Sequence, residues 1–101
     1  MAKDEAAIEA EIQAKGLNAP RLTPAHIDAQ ILDAHYYVVK PLTICIMTLQ
    51  NGFQLLGKSA SASPENFDAE LGKKIAYEDA RNQIWALEGY RLRAHLAGQT
   101  W

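Results

Sequence analysis

The chain has 101 residues, of which 49% are apolar and 22% are charged, and its net charge at pH 7 is -2. This length and composition predict a single globular domain and exclude a disordered chain. The slight negative charge gives no reason to expect a nucleic-acid partner, and no apolar run is long enough to cross a bilayer. A single cysteine forms no internal disulfide, and the N-terminal residues lack the apolar segment of a signal peptide, so we expect a cytoplasmic protein without a membrane partner.

The first predicted element is a short amphipathic helix over residues 3–15. Ile8 and Ile12 lie four residues apart on one side of it, with charged residues around them. Gly16 is a typical helix end. Because the apolar side is thin, we expect residues 1–22 either to fray or to dock on another subunit, at the edge of a domain that spans the whole chain.

A second helix is predicted from the pair Thr23-Pro24, an N-cap followed by proline in the first turn. We expect this helix to continue to about His35. Its apolar side carries Ile27, Ile31 and Ala34. The residues that follow, Tyr36–Val39, favour a strand, but the pattern leaves open whether they form one.

A β-hairpin is the clearest local prediction. Asn51-Gly52 lies between two runs that favour strands, and this dipeptide is typical of a two-residue turn. Such a turn places Thr48 opposite Leu55 and Cys45 opposite Lys58. Both faces of this hairpin are then substantially apolar, which predicts that each face is covered.

The last predicted element is a long helix. Ser63-Pro64 repeats the N-cap and proline signal, and the helical pattern continues to about Leu96. Apolar residues fall on two roughly opposite sides of this helix. The first side carries Phe67, Leu71, Trp85, Leu92 and Leu96, with Gly89 among them. The second side carries Ala76, Ala80, Ile84 and Leu87, with Tyr77 at its edge.

The length of this helix predicts self-association. About 30 helical residues span roughly 45 Å, whereas a compact chain of this size is roughly 35 Å across. An overhanging helix with two apolar sides favours a homo-oligomer. The interface residues that we predict are Ala76, Ala80, Ile84, Leu87 and Trp85. The alternative is a helix that bends at Gly72 or Gly89 and folds back on itself.

The sequence contains no catalytic or metal-binding constellation. His26, His35 and His95 lack the spacing of metal ligands, so we interpret them as exposed or capping residues. Cys45 lies between isoleucines in a predicted strand, where a buried thiol is inert. We therefore predict a protein that is not an enzyme and that uses no metal or other cofactor.

Basic and aromatic residues of the long helix are the candidate ligand-binding residues. They are Lys73, Tyr77, Tyr90, Arg91 and Arg93. The simpler interpretation is that the arginines complement the helix dipole and the aromatic rings pack. The alternative is that an oligomer gathers them into a pocket for a phosphate-bearing ligand, with arginine forks on phosphate and rings stacked on a base.

Four segments resemble a family of small tailed-phage proteins known as the gene-product-49/66 family. The segments are Thr43–Phe53 (TICIMTLQNGF), Asn66–Gly72 (NFDAELG), Ile75–Tyr77 (IAY) and Ile84–Tyr90 (IWALEGY). The resemblance covers residues 42–92, and we find none in the first forty residues. Family members often have proline after the tryptophan, where this chain has Ala86, which favours an unbroken helix. The family implies expression in an infected bacterium and supplies no catalytic residues.

These observations predict an α+β fold with N-terminal helices, an antiparallel hairpin and a long C-terminal helix packed on the sheet. We expect a phage accessory protein that acts in the host cytoplasm by binding a host protein without catalysis. The alternative is an oligomeric sponge that sequesters a cyclic or ADP-ribose-type nucleotide used as a second messenger in antiphage defence.

Overall fold

A computed structural model describes residues 4–17 and 19–99 of the chain. The elements, in order, are α1 (Glu5–Ala14), α2 (Pro24–Ala29), β1 (Ile31–Val39), β2 (Leu42–Leu49), β3 (Gln54–Ala60), a 3-10 turn (Pro64–Asn66) and α3 (Ala69–Leu96). The strands form one antiparallel sheet in the order β1-β2-β3, and α3 packs on it, which confirms the predicted α+β class. The predicted helix start at residue 3, and Asn18 of the connector, lie outside the described residues.

Helix α2 is much shorter than predicted. Its start is confirmed, because the Thr23 hydroxyl accepts a hydrogen bond of 3.1 Å from the backbone N–H of His26. It ends at Ala29, however, and the chain then enters β1. Ile31 and Ala34 belong to this strand and pack against the core from it. The prediction of a helix to His35 was wrong because pairing with the whole of β2 outweighs the weak local preference for helix.

The hairpin between β2 and β3 is confirmed, but its register differs from the prediction by one residue. Its loop has three residues, since the Leu49 N–H donates a hydrogen bond of 2.8 Å to the Phe53 carbonyl oxygen. Gly52 ends the loop with a φ of +90°, the conformation that glycine adopts at least cost. Cys45 therefore faces Gly57, and Lys58 lies on the other face of the sheet.

Only one face of the sheet is covered by the described part of the chain. Buried and partly exposed residues alternate along β2, and the buried set, which faces α3, is Thr43, Cys45, Met47 and Leu49. On the opposite face, Tyr37, Val39 and Leu56 are 61%, 69% and 51% exposed. The prediction that both faces are covered therefore holds for one face only within residues 4–17 and 19–99.

Helix α3 is a single continuous helix that begins later than predicted. Asp68 is its N-cap and accepts a hydrogen bond of 3.0 Å from the Leu71 N–H, whereas Ser63-Pro64 introduces the separate 3-10 turn. The helix ends at Leu96 as predicted. Its 28 residues span about 42 Å, and the longest dimension of the molecule is 49 Å. There is no break at Gly72 or Gly89.

The contact between β3 and α3 is very close because the residues on both sides are small. A Cβ atom at Gly57 would collide with the backbone at Ala76 and Ala80. The core that forms around this contact consists of Ile27, Cys45, Met47, Leu49, Leu55, Ala76, Ala80 and Ile84. Small residues at a spacing of four along α3 thus allow the helix to lie directly on the strand.

This packing corrects part of the predicted oligomer interface. Ala76, Ala80 and Ile84 have no exposed surface, because the sheet of the same chain covers them. They are core residues, and their assignment to a contact between subunits was wrong. Leu87 is 38% exposed and Trp85 is half-buried, so the prediction for these two residues stays open.

We predict that Gly57→Ala lowers the free energy of unfolding by about 1–3 kcal/mol, because the added methyl group meets helix backbone that has no room to move. Gly89→Ala is the matched control. A Cβ there comes no closer than 3.9 Å to Leu22, and alanine favours a helix over glycine by about 1 kcal/mol. Urea denaturation of the two variants measures both effects. Equal stabilities would contradict the close contact.

Candidate functional site

The second half of α3 packs beside α2 and the connector that precedes α2. At this place Glu88 is only 8% exposed. Its Oε1 lies 2.7 Å from Nε2 of His26 and accepts a hydrogen bond of 2.7 Å from Nη2 of Arg91. The Arg91 guanidinium, and then His26, lower the pKa of the Glu88 carboxyl below its usual value against the opposing effect of burial. Glu88 is therefore charged and doubly paired at neutral pH.

A cavity of about 740 Å³ lies beside this carboxylate. Its charged and titratable lining consists of Arg21, His26, Glu88, Arg91 and His95. Leu22 and Leu92 supply apolar walls. The lining residues come from two segments, residues 20–26 and residues 88–99, that are more than 60 positions apart in the chain. No local pattern could therefore have predicted the cavity.

Two of the predicted ligand-binding residues lie in a different groove. Lys73 and Tyr77 line a space of about 460 Å³ next to Tyr36, and the Lys73 Nζ lies 5.7 Å from the centre of the Tyr36 ring. Arg91 lines the cavity described above instead. Tyr90 is 69% exposed and, like Arg93, lines neither space. Within one described chain, the five predicted residues therefore do not form one site.

Arg81 is a second buried charged residue on α3, and the sequence gave no sign of its burial. Arg81 is 5% exposed. Its Nε donates a hydrogen bond of 2.7 Å to Asp28, and its Nη1 donates one of 2.7 Å to Glu5. These partners lie 53 and 76 residues away in the chain, so Arg81 is indistinguishable in sequence from the exposed basic residues of the same helix.

Cys45 lies in the core with no accessible surface. The predicted burial of this residue in a strand is confirmed, and burial raises the pKa of its thiol. The cross-strand lysine that was expected beside it lies on the opposite face of the sheet.

The described residues contain neither a metal-binding cluster nor a membrane-spanning helix. Across positions 4–17 and 19–99, no group of three or more His, Cys, Asp or Glu side chains is arranged to hold a metal ion. In the same part of the chain, no helix combines the length and the apolar character needed to span a bilayer.

The chain matches the model of the Phage protein (N4 Gp49/phage Sf6 gene 66) family over residues 22–96. It belongs to this family. The match covers about three quarters of the chain and begins well before Leu42, so the resemblance includes α2 and β1, contrary to the expectation from the sequence. Helix α1 lies outside it. No curated protein and no solved structure matches the chain.

The pairing of Glu88 predicts a dependence of stability on pH. Because its pKa is lower in the folded chain, its stabilising effect is full above the usual value of 4.5 and is lost as the pH falls below that value. We expect Glu88→Gln to cost about 1–3 kcal/mol at pH 7, since His26 and Arg91 lose a charged partner. The free energy of unfolding should also fall less steeply with acidification in this variant than in the wild type.

The matched control is Glu11→Gln, because Glu11 is an exposed residue of α1 that pairs with Lys15 at the end of that helix. This change should alter stability by less than about 0.5 kcal/mol. Urea denaturation between pH 7 and pH 3 measures the free energy of unfolding of the wild type and of the two variants. A Glu88→Gln profile parallel to that of the wild type would contradict the assignment.

Proposed function

We propose that this phage protein acts in the cytoplasm of the infected bacterium by binding a host protein without catalysis, through the open face of the sheet and the adjacent edge of β1. The observation that carries the proposal is the contrast between the two edges of the sheet.

The edge of β3 is occupied by side chains of α3. The Lys58 N–H donates a hydrogen bond of 2.9 Å to the Asp79 carboxylate, and the Leu56 carbonyl accepts one of 2.8 Å from Gln83. No hydrogen bond of this kind reaches residues 32–39 of β1 from another element in the described part of the chain. An exposed edge offers backbone groups to an added strand, and proteins usually block such edges. Here one edge is blocked and the other is left available.

The open face beside this edge is apolar. Tyr37 and Val39 of β1 and Leu56 of β3 are each more than half exposed, and Ile44 and Ile46 lie half-buried between them. A contiguous apolar surface of this kind usually marks a contact with another molecule. A strand added to β1 would receive main-chain hydrogen bonds from the edge, and neighbouring side chains of the partner would pack on the face.

Geometry favours a host protein over a second copy on this surface. Three strands of about eight residues form a face of roughly 14 × 26 Å, or roughly 370 Å². This is about half of the 800 Å² that each partner buries in a stable complex, so the face alone is too small for a stable interface. Two copies that pair edge to edge leave both faces open, and two copies that stack face to face leave both edges open. A different protein can cover the edge and the face together.

A homo-oligomer remains a separate proposal. It is supported by the length of α3, whose 28 residues span about 42 Å, and by the exposure of Leu87 and Tyr90 on its second half. This surface is distinct from the open face of the sheet.

A photo-crosslinking residue at Val39 tests the binding surface in infected cells, with the same residue at Tyr90 as the control position. We expect a host protein to be crosslinked from Val39 and not from Tyr90. With that protein purified, Tyr37→Lys/Val39→Lys should weaken binding at least tenfold while the variant keeps its unfolding midpoint, because two charges replace apolar contact area. Crosslinks to a second copy alone, or undiminished binding by the double variant, would contradict the proposal.

A second candidate is the nucleotide sponge, and the cavity beside Glu88 favours it. Arg21, Arg91 and His95 supply cationic or hydrogen-bonding groups, and two leucines supply apolar walls for a base or ribose. Arg91 has a 65% exposed side chain and can turn from Glu88 to a phosphate.

Calorimetric titration with cyclic and ADP-ribose-type nucleotides tests this candidate. We expect Arg91→Ala to weaken binding at least tenfold and Arg93→Ala, which lies outside the cavity, to leave it unchanged. Recovery of the ligand unchanged by mass spectrometry would support sequestration, and chemical conversion of the ligand would instead indicate an enzyme. No binding across the panel would rule the sponge out.

A further inference from the structure

Helix α1 is attached to the rest of the chain by two arginine–carboxylate forks. Nη1 and Nη2 of Arg81 donate hydrogen bonds of 2.7 and 3.1 Å to the two carboxylate oxygens of Glu5. Nη1 and Nη2 of Arg21 donate bonds of 2.8 and 2.7 Å to the two oxygens of Glu9. Two parallel hydrogen bonds are the geometry by which a guanidinium selects a carboxylate.

The attachment of α1 is electrostatic rather than apolar. Glu5 and Glu9 lie four residues apart and therefore on one side of the helix. No residue of α1 is buried, and Ile8 is 54% exposed. Helix α2 differs in this respect, because its Ile27 is completely buried in the core. The forks thus supply most of what holds α1 in place.

One of the two arginines under α1 also has partners in the rest of the domain. Arg81 keeps its hydrogen bond of 2.7 Å to Asp28 and lies 3.5 Å from the Pro24 carbonyl oxygen, both of which belong to the body of the domain. The family match begins at residue 22, after α1 has ended. The body therefore holds the Arg81 guanidinium in position independently of α1. Arg21, one residue before the match, has Glu9 of α1 as its partner in the hydrogen bonds described. Helix α1 binds both guanidinium groups.

We propose that Arg21 and Arg81 form a docking seat for an acidic helix, which α1 occupies within the chain and which a helix of a partner protein with two carboxylates four residues apart takes over. Helix α1 is in this sense a tethered competitor. A short tether gives it an effective concentration on the order of millimolar, so a partner must bind more tightly than α1 or arrive when α1 is released. This seat is separate from the open face of the sheet, and the inference does not rest on the function proposed above.

Hydrogen–deuterium exchange of the full chain tests the attachment. In Glu5→Gln/Glu9→Gln we expect the amides of α1 to exchange at least tenfold faster than in the wild type, because neutral side chains make weaker bonds to the arginines. Glu11→Gln is the matched control, since Glu11 lies on the same helix and pairs only with Lys15 among the ion pairs described. Raising the salt concentration from 50 mM to 1 M should accelerate exchange in the wild type as well. Equal exchange in the double variant and the control would overturn the proposal.

A peptide of residues 4–17 tests whether the seat accepts a helix from outside. Labelled peptide should bind the double variant at least tenfold more tightly than it binds the wild type, because the tethered competitor is weakened. A peptide in which both glutamates are glutamine should not bind, and 1 M salt should abolish binding of the acidic peptide. Equal affinity for both proteins, or no binding to either, would overturn the proposal. A dimer in native mass spectrometry that dissociates in the double variant would also overturn it, since α1 would then be exchanged between copies.

Discussion

The structure depends on the contact between Gly57 and the backbone of α3 at Ala76 and Ala80. A helix can lie this close to a strand only where both surfaces lack side-chain bulk, so glycine on the strand faces alanine on the helix. The short distance also brings Asp79 and Gln83 within reach of the outer backbone groups of β3. One packing constraint therefore decides which face of the sheet is buried and which edge is blocked.

Helix α3 also packs beside α2 and the connector, which are too short to supply many apolar contacts. Charged groups take over part of this role, since Arg81 and Glu88 are the two ionisable residues of α3 that are buried. Each is paired with two partners, as a buried charge requires. The position of α2 on α3 is thus fixed by Ile27 together with ionic contacts, and these contacts also create the cavity beside Glu88.

Local sequence signals were sufficient to predict the α+β class, the hairpin, the Thr23 cap and the end of α3 at Leu96. Each of these features depends on residues that are close together in the chain. The boundary between α2 and β1 was not predictable in this way. Ile27, Ile31 and Ala34 fit a helical spacing as well as they fit a strand, and only pairing with β2 decides between the two. The hairpin register had the same ambiguity, because a glycine with positive φ ends a three-residue loop as readily as a two-residue turn.

The candidate site was less predictable than the fold. The sequence marked Arg91 and Arg93 alike, although only Arg91 lines the cavity, and it gave no reason to separate Arg81 from the exposed basic residues. The spacing of the alanines of α3 predicts an apolar face of the helix but does not show what covers that face. The sequence therefore could not distinguish a core position from a contact between subunits. In both cases the missing information was a contact between residues far apart in the chain.

The two proposed binding surfaces differ in chemistry, and this difference constrains how they can act together. Contacts with a partner on the open face would be apolar or made by main-chain groups, so salt should affect them little, whereas the forks of Arg21 and Arg81 weaken as salt screens charge. The surfaces also differ in their relation to the family match, because the open face lies inside it and α1 lies outside it. A function carried by the open face would therefore be a property of the matched domain, and regulation by α1 would be a property that this chain adds to it.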